Sequence, residues 1–344
     1  MDILIQGIMR EHQIPGMAVA IIQNGVLTML RGYGVANVEL SVPVSDRTVF
    51  EIASLTKPFT AMLTLMMVDD GVISLEDSIT SYLDDPPLAW HPVKIRHILC
   101  HQSGIPSYTS TKEYWKTTRL DVSQQDILNY VRDLPLNYYP GNRTHYDNTG
   151  YYLLGLMLER VGGKSYGQLL SDRIFEPFGM NATQVNDPYS TVPNRASGYS
   201  LKNGQIRNKE YYSPSGTFSA GNLLSTVADL TTWEIVLQTE TRLKTEILKL
   251  MWTPQESRTG NERQTQGFTN GMGWFLPAYP DRHVAVHNGS IRGFSSTMSR
   301  FITDNITVIL LCNIDTLERP DAIAKRIAEH YVPHLADVDL MPPL

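Results

Sequence analysis

The chain has 344 residues, 42% of them hydrophobic and 19% charged, with a formal net charge of -6. That length supports a core for about two domain-sized units, and the composition is that of an ordinary globular protein. A basic field for nucleic acid, a like-charge binding tail and a membrane span of about 18 apolar residues are all excluded.

Taken in chain order, residues 3–12 place Ile5, Ile8 and Met9 at helical spacing. The start lacks the charged, apolar and small-residue segments of a signal peptide. The chain therefore reads as cytoplasmic as written, and as periplasmic or secreted if a leader has been removed. Met17 to Gln23 and Val26 to Val38 are β-rich, and Asn24-Gly25 between them predicts a hairpin, because a type I′ turn needs positive φ at both central residues. Phe59 to Val68 predicts a buried helix that starts near Ser54. Short helices follow at Ile95 to Cys100 and Ile127 to Val131, then longer ones at Tyr151 to Val161, stopped by Gly162-Gly163, and at Tyr166 to Phe175, ending before Pro177.

The segment 183–222 reads as long loops, and long loops inside compact domains are often functional. Ser225 to Leu237 predicts a helix capped by Ser225 or Thr226. Four strands come next, at Gly273 to Leu276, His283 to His287, Ser295 to Phe301 and Thr307 to Asn313, before a closing helix at Pro320 to Tyr331. Strands at both ends most simply form one antiparallel sheet. The expected fold class is α/β (α+β), an antiparallel sheet flanked by helices plus an inserted all-helical domain. Its expected units are a sheet domain from residues 1–60 and 215–344 and a mainly helical domain from residues 61–214. Cys100 and Cys312 sit in apolar stretches and read as buried free thiols.

Three motifs carry chemistry. Ser54-Leu55-Thr56-Lys57 is the only Ser-x-x-Lys in the chain. A serine hydroxyl needs a base within hydrogen-bond reach, and residues three apart share a helical face, so the amine reaches the hydroxyl. The Ser54 N–H would lie near a helix N-terminus and serve an oxyanion, and burial would bring the Lys57 pKa down from about 10.4. Alone, the spacing more commonly marks a capping serine and a surface lysine. Tyr146-Asp147-Asn148 is the only Tyr-x-Asn, on a loop at a helix start, where the phenol would relay a proton and the amide bind a substrate carbonyl. His287-Asn288-Gly289-Ser290 lies on or just after a strand. Gly289 there would let a substrate backbone approach, and the Ser290 N–H would be a second oxyanion donor.

In this order the three motifs resemble those of the serine β-lactamase and penicillin-binding protein superfamily: Ser-x-x-Lys, Tyr-x-Asn and a Lys/His-x-Gly triad. The likeness extends to residues 50–53, 98–105, 148–151, 175–180 and 220–225. It implies the β-lactamase/transpeptidase-like fold and a two-step acyl transfer without metal or cofactor. Ser54 would be the nucleophile, Lys57 its base partner and Tyr146 the proton shuttle. Asn148, His287, Gly289 and Ser290 would form the substrate-binding side, with His287 in place of the lysine of many members and the Ser54 and Ser290 amides as oxyanion hole. His-x-Gly resembles the branch of D-alanyl-D-alanine carboxypeptidases, D-aminopeptidases and esterases more than the Lys-Thr-Gly of β-lactamases proper. A small-molecule or peptide substrate is implied. A β-lactamase and a non-catalytic penicillin-binding or sensor protein stay open as alternatives, as do a charge-supplying and a solvated role for Arg292. No equivalent of the class A deacylating glutamate is visible, which implies long-lived penicillin acyl-enzymes.

Other patterns have plainer readings. Gly163-Lys164-Ser165-Tyr166-Gly167 matches a nucleophile elbow, but a helix precedes it where the elbow needs a strand, so Ser165 reads as a cap. His97, Cys100 and His101 are zinc-like in spacing but lack a third ligand pattern, and His283 and His287 would stand about 13 Å apart along a strand. Tyr108, Tyr114, Trp115, Tyr138, Tyr139, Tyr211 and Tyr212 would line an aromatic cleft or pack singly.

Overall fold

The β-rich runs at the two ends of the chain form one antiparallel sheet. In this computed structural model, residues 1–239, 244–259, 268–279 and 281–337 are described. The strands are β1 (Gly16–Gln23), β2 (Val26–Asn37), β3 (Val42–Pro43), β4 (Val49–Glu51), β5 (Gln184–Val185), β6 (Tyr199–Lys202), β7 (Gln205–Asn208), β8 (Leu223–Thr226), β9 (Phe268–Gly271), β10 (Trp274–Pro277), β11 (Val284–Ile291), β12 (Phe294–Phe301) and β13 (Ile306–Cys312). The main sheet has eight strands in the order β3-β2-β1-β13-β12-β11-β10-β9. Asn24 and Gly25 join β1 to β2 with φ of 52° and 73°, as the turn chemistry requires.

The middle strands are apolar on both faces because helices cover both. On one face, Ile5 and Ile8 of the helix Asp2–Glu11 and Ile323 and Ile327 of the helix Pro320–Ala328 pack over Met17, Val19, Val308 and Leu310. On the other, Leu230 and Trp233 of the helix Val227–Thr239 share a core with Ala18, Ala20, Ile309 and Leu311. Phe59 stacks on Trp233 at 4.6 Å between ring centres, which draws the helix Lys57–Asp69 into that core. Burial of each such large side chain stabilises by about 1.5–3 kcal/mol. Cys100 and Cys312 are free and buried.

Three elements differ from the sequence reading. Ser225 lies inside β8, which pairs with both β4 and β5, so the following helix runs Val227–Thr239 and Thr226 Oγ1 caps it by accepting from the Asp229 N–H. The helix from Tyr166 does not stop before Pro177. A π turn at Ser171–Phe175 leads into Glu176–Phe178, and the chain leaves at Gly179 with φ of 72°. A proline is tolerated there because it opens a new turn. Segment 183–222 holds β5 and the β6–β7 hairpin, and leads directly into β8. Strands of two to four residues have no periodicity to read; β5 and β8 find partners remote in sequence, whereas β6 and β7 form a local hairpin turned at Asn203-Gly204 that the sequence reading passed over.

Candidate active site

β4 delivers Ser54 to a cleft. Two bonds pin the chain just before it: Ile52 N–H to the Leu223 carbonyl at 3.0 Å, and Ser296 Oγ to the Ile52 carbonyl at 2.8 Å. Ala53 then takes φ of 50°, left-handed for a residue with a Cβ, which costs about 1–2 kcal/mol. This sharp turn starts the 3-10 helix Ala53–Thr56, continued by Lys57–Asp69 with Pro58 in its first turn. The N–H groups of such a start lack intrahelical partners, and Ser54 is half-buried among the cleft-lining residues.

Lys57 is fully buried. Its amine donates to Ser54 Oγ at 3.3 Å, Asn148 Oδ1 at 2.8 Å and the Ala220 carbonyl at 2.7 Å, so all three N–H positions of an ammonium are used. Burial brings its pKa down to about 7, against an opposing pull from Asp147. Tyr146 donates its hydroxyl to Ser54 Oγ at 2.7 Å, and the lysine amine lies 4.7 Å from its ring centre. Burial pushes the phenol pKa up, so it is neutral at pH 7. The structure thus brings Ser54, Lys57, Tyr146 and Asn148 into one hydrogen-bonded cluster. In that cluster a proton can pass among hydroxyl, amine and phenol.

Asp147, His101 and Ser103 support this cluster, and the sequence reading assigned them no site role. Asp147 is buried; its carboxylate accepts from the Gly150 N–H at 2.5 Å, capping the helix Asn148–Gly162, and from Ser103 Oγ at 3.1 Å. Burial raises its pKa to about 6. The Asp147 N–H donates to His101 Nδ1 at 3.3 Å, and the His145 N–H to the His101 carbonyl at 2.8 Å. Burial, and then the Lys57 charge, hold the His101 pKa well below the usual histidine range. Asn148 Nδ2 donates to Thr109 Oγ1 at 3.1 Å, fixing the amide orientation. An aspartate at an N-cap position was the readable signal.

β11 forms the facing wall. β10 pairs with it only at Phe275–Val286, so the edge from His287 to Ile291 borders the cleft instead of a strand. His287 is buried, and its Nδ1–H donates to the Asn288 carbonyl at 2.8 Å. Burial, and then the Lys57 charge, lower its pKa to about 3, so its ring carries no charge near neutral pH. Gly289 also has a packing role. A Cβ there would stand 2.1 Å from the Ile52 carbonyl oxygen. The glycine therefore admits the chain's own backbone, holding β11 against the serine turn. Ser290 is exposed at the cleft edge. Arg292 is neither simply solvated nor an open charge: it lines the cleft, pairs with Glu210 at 3.1 Å and lies 5.6 Å from the Tyr212 ring centre.

The cleft has a volume of about 1230 Å³. Of the seven aromatics considered, Tyr108, Tyr114, Trp115 and Tyr212 line it, whereas Tyr138, Tyr139 and Tyr211 do not. Tyr138 instead reaches the His101 carbonyl, and Tyr139 stacks with Arg258. Ser165 caps the helix Tyr166–Leu170, and His97 Nδ1 accepts from the Lys94 N–H. Among the described residues no group of three His, Cys, Asp or Glu side chains could hold a metal ion, and no helix is long and apolar enough to cross a membrane.

Comparison with known proteins agrees with this architecture. A family profile described as Beta-lactamase matches residues 1–332. The chain is 27% identical to a penicillin-binding protein of Bacillus subtilis over 95% of its own length and 74% of that protein's. It is 27% identical to Protein flp of Staphylococcus aureus over 92% of its length, and spans only 63% of that relative. The crystal structure of the D-amino acid amidase of Ochrobactrum anthropi SV3 complexed with D-phenylalanine superposes with a TM-score of 0.82 at 25% identity, covering 97% of this chain and 99% of that one.

Proposed function

The chain belongs to the beta-lactamase family, and on that premise we propose that it is a serine hydrolase that forms an acyl-enzyme on amide or ester bonds, D-amino-acid derivatives first among them. The observation that carries this reading is the contact of one hydroxyl with both a phenol and a neutral-prone buried amine, Ser54 Oγ with Tyr146 at 2.7 Å and Lys57 at 3.3 Å.

In the proposed mechanism Ser54 Oγ attacks the carbonyl carbon as its proton passes to Lys57 or through Tyr146. The Ser54 and Ser290 N–H groups stabilise the oxyanion, each worth about 3–4 kcal/mol. Asn148 and the edge of β11 orient the substrate. Tyr146 gives a proton to the leaving group, water enters, and the same network runs in reverse to release the acid.

The test is incubation with a D-amino-acid amide, a p-nitrophenyl ester and a penicillin, with mass spectrometry of the adduct. Acylation confined to Ser54 and multiple turnovers of the amide or ester are expected. Stoichiometric penicillin labelling without turnover of either would mark a binding protein instead, and rapid penicillin turnover a β-lactamase.

A further inference from the structure

Among the described residues, Lys57, Arg319, Arg292 and Lys209 beside the cleft each have a partner. Lys57 is engaged with Ser54, Asn148 and the Ala220 carbonyl. Arg319 is clamped on Asp321, with contacts from 2.6 to 3.2 Å. Position 287, where many relatives would carry a lysine, holds an uncharged imidazole whose one bonded nitrogen is turned to the Asn288 carbonyl. Arg292 stands at the end of the exposed edge of β11, and its guanidinium meets Glu210 Oε2 at 3.1 Å. The same oxygen accepts from Arg119 at 2.9 Å, and Lys209, next in the chain, is paired with Glu51. Asp315 and Glu318 add two carboxylates to the lining.

We infer that Glu210 is a specificity-determining residue: it masks Arg292, so that the cleft takes neutral amides and esters in preference to peptides whose leaving residue ends in a free carboxylate. The inference rests on the proposed acyl-enzyme reading and narrows its substrate class. A carboxylate on the leaving group would have to displace Glu210 from Arg292 and approach its charge. An amide or ester cap meets no such barrier. Glu210 is exposed and its one carboxylate is shared between Arg292 and Arg119, so the mask is partial and adjustable.

The test compares N-acetyl-D-alanyl-D-alanine with its C-terminal amide, as kcat/KM and as equilibrium binding to the Ser54→Ala protein. Wild type is expected to favour the amide by about tenfold. Glu210→Gln should cut that preference about threefold or more by improving the carboxylate substrate, and adding Arg292→Gln should cancel the gain. A wild-type preference for the free carboxylate, or a preference unmoved by Glu210→Gln, overturns the inference. Absence of turnover with the binding preference intact would sink the hydrolase reading and leave the charge mask standing. Turnover without the preference would do the reverse.

Discussion

At the scale of single residues, the site places a buried amine where water would otherwise keep it charged. Lys57 loses its proton near pH 7 because burial penalises the ammonium more than Asp147 favours it. If the neutral amine is the base, kcat/KM should rise as pH rises through about 7 and level above it. Asp147→Asn keeps a side-chain oxygen for the Gly150 N–H but removes the charge that favours the ammonium. The Lys57 pKa should then fall, and the acid limb of the pH profile move to lower pH; a limb that stays in place would detach Lys57 from it. Ser54→Ala should abolish acylation. Tyr146→Phe should lower kcat by about 10²–10⁴-fold with little change in stability, read by steady-state kinetics beside thermal melting.

Among elements, the decisive contact is between β11 and the turn that carries Ser54. Gly289 lets the two backbones meet, and Ser296 ties the Ile52 carbonyl from the neighbouring strand. Gly289→Ala would force β11 away from that turn, at a cost of about 1–3 kcal/mol for overpacking. Both a lower Tm and a lower kcat/KM are expected; retention of full activity would show that the wall is free to move. The hairpin at Asn24-Gly25 and the stop at Gly163 were readable because turn and cap chemistry is local. Val49 to Ile52 read as strand-like and forms β4, but β5 and β8 were not readable, since they are two to four residues long and β8 pairs with β4 across about 175 positions. The supporting role of His101 and Ser103 was hidden for the same reason. Nothing in their own segment states that Asp147 will fold back upon them.

The whole molecule carries buried groups that titrate against the fold. His97 and His287 have pKa values lowered to about 4 and about 3, and His101 is held well below the usual histidine range, chiefly by burial. Between those values and about 6.5 the unfolded chain binds protons that the folded chain refuses. Stability from these groups is therefore full above pH 6.5 and lost as pH falls toward their folded values. Asp147 opposes this weakly, because its raised pKa favours the fold at low pH, an advantage lost as pH rises through about 6. Three histidines outweigh one aspartate, so Tm should fall steadily from pH 6.5 to 4. His97→Gln, at a part-exposed position, should flatten that slope; an unchanged slope would place the acid sensitivity elsewhere.

The sequence by itself determined the Ser54–Lys57 neighbourhood and the class of fold. A Ser-x-x-Lys spacing places amine and hydroxyl on one helical face, and alternation, turn pairs and helix stops act within a few residues. Only the tertiary structure decided that Gly289 serves the backbone of Ile52, that Asp147 is a buried cap beside the amine, and that Arg292 is already answered by Glu210. Each of those depends on which surfaces meet after the sheet closes over the middle of the chain. Burial, which sets the charge state of Lys57, His101 and His287, is a property of that packing and not of any local run of residues.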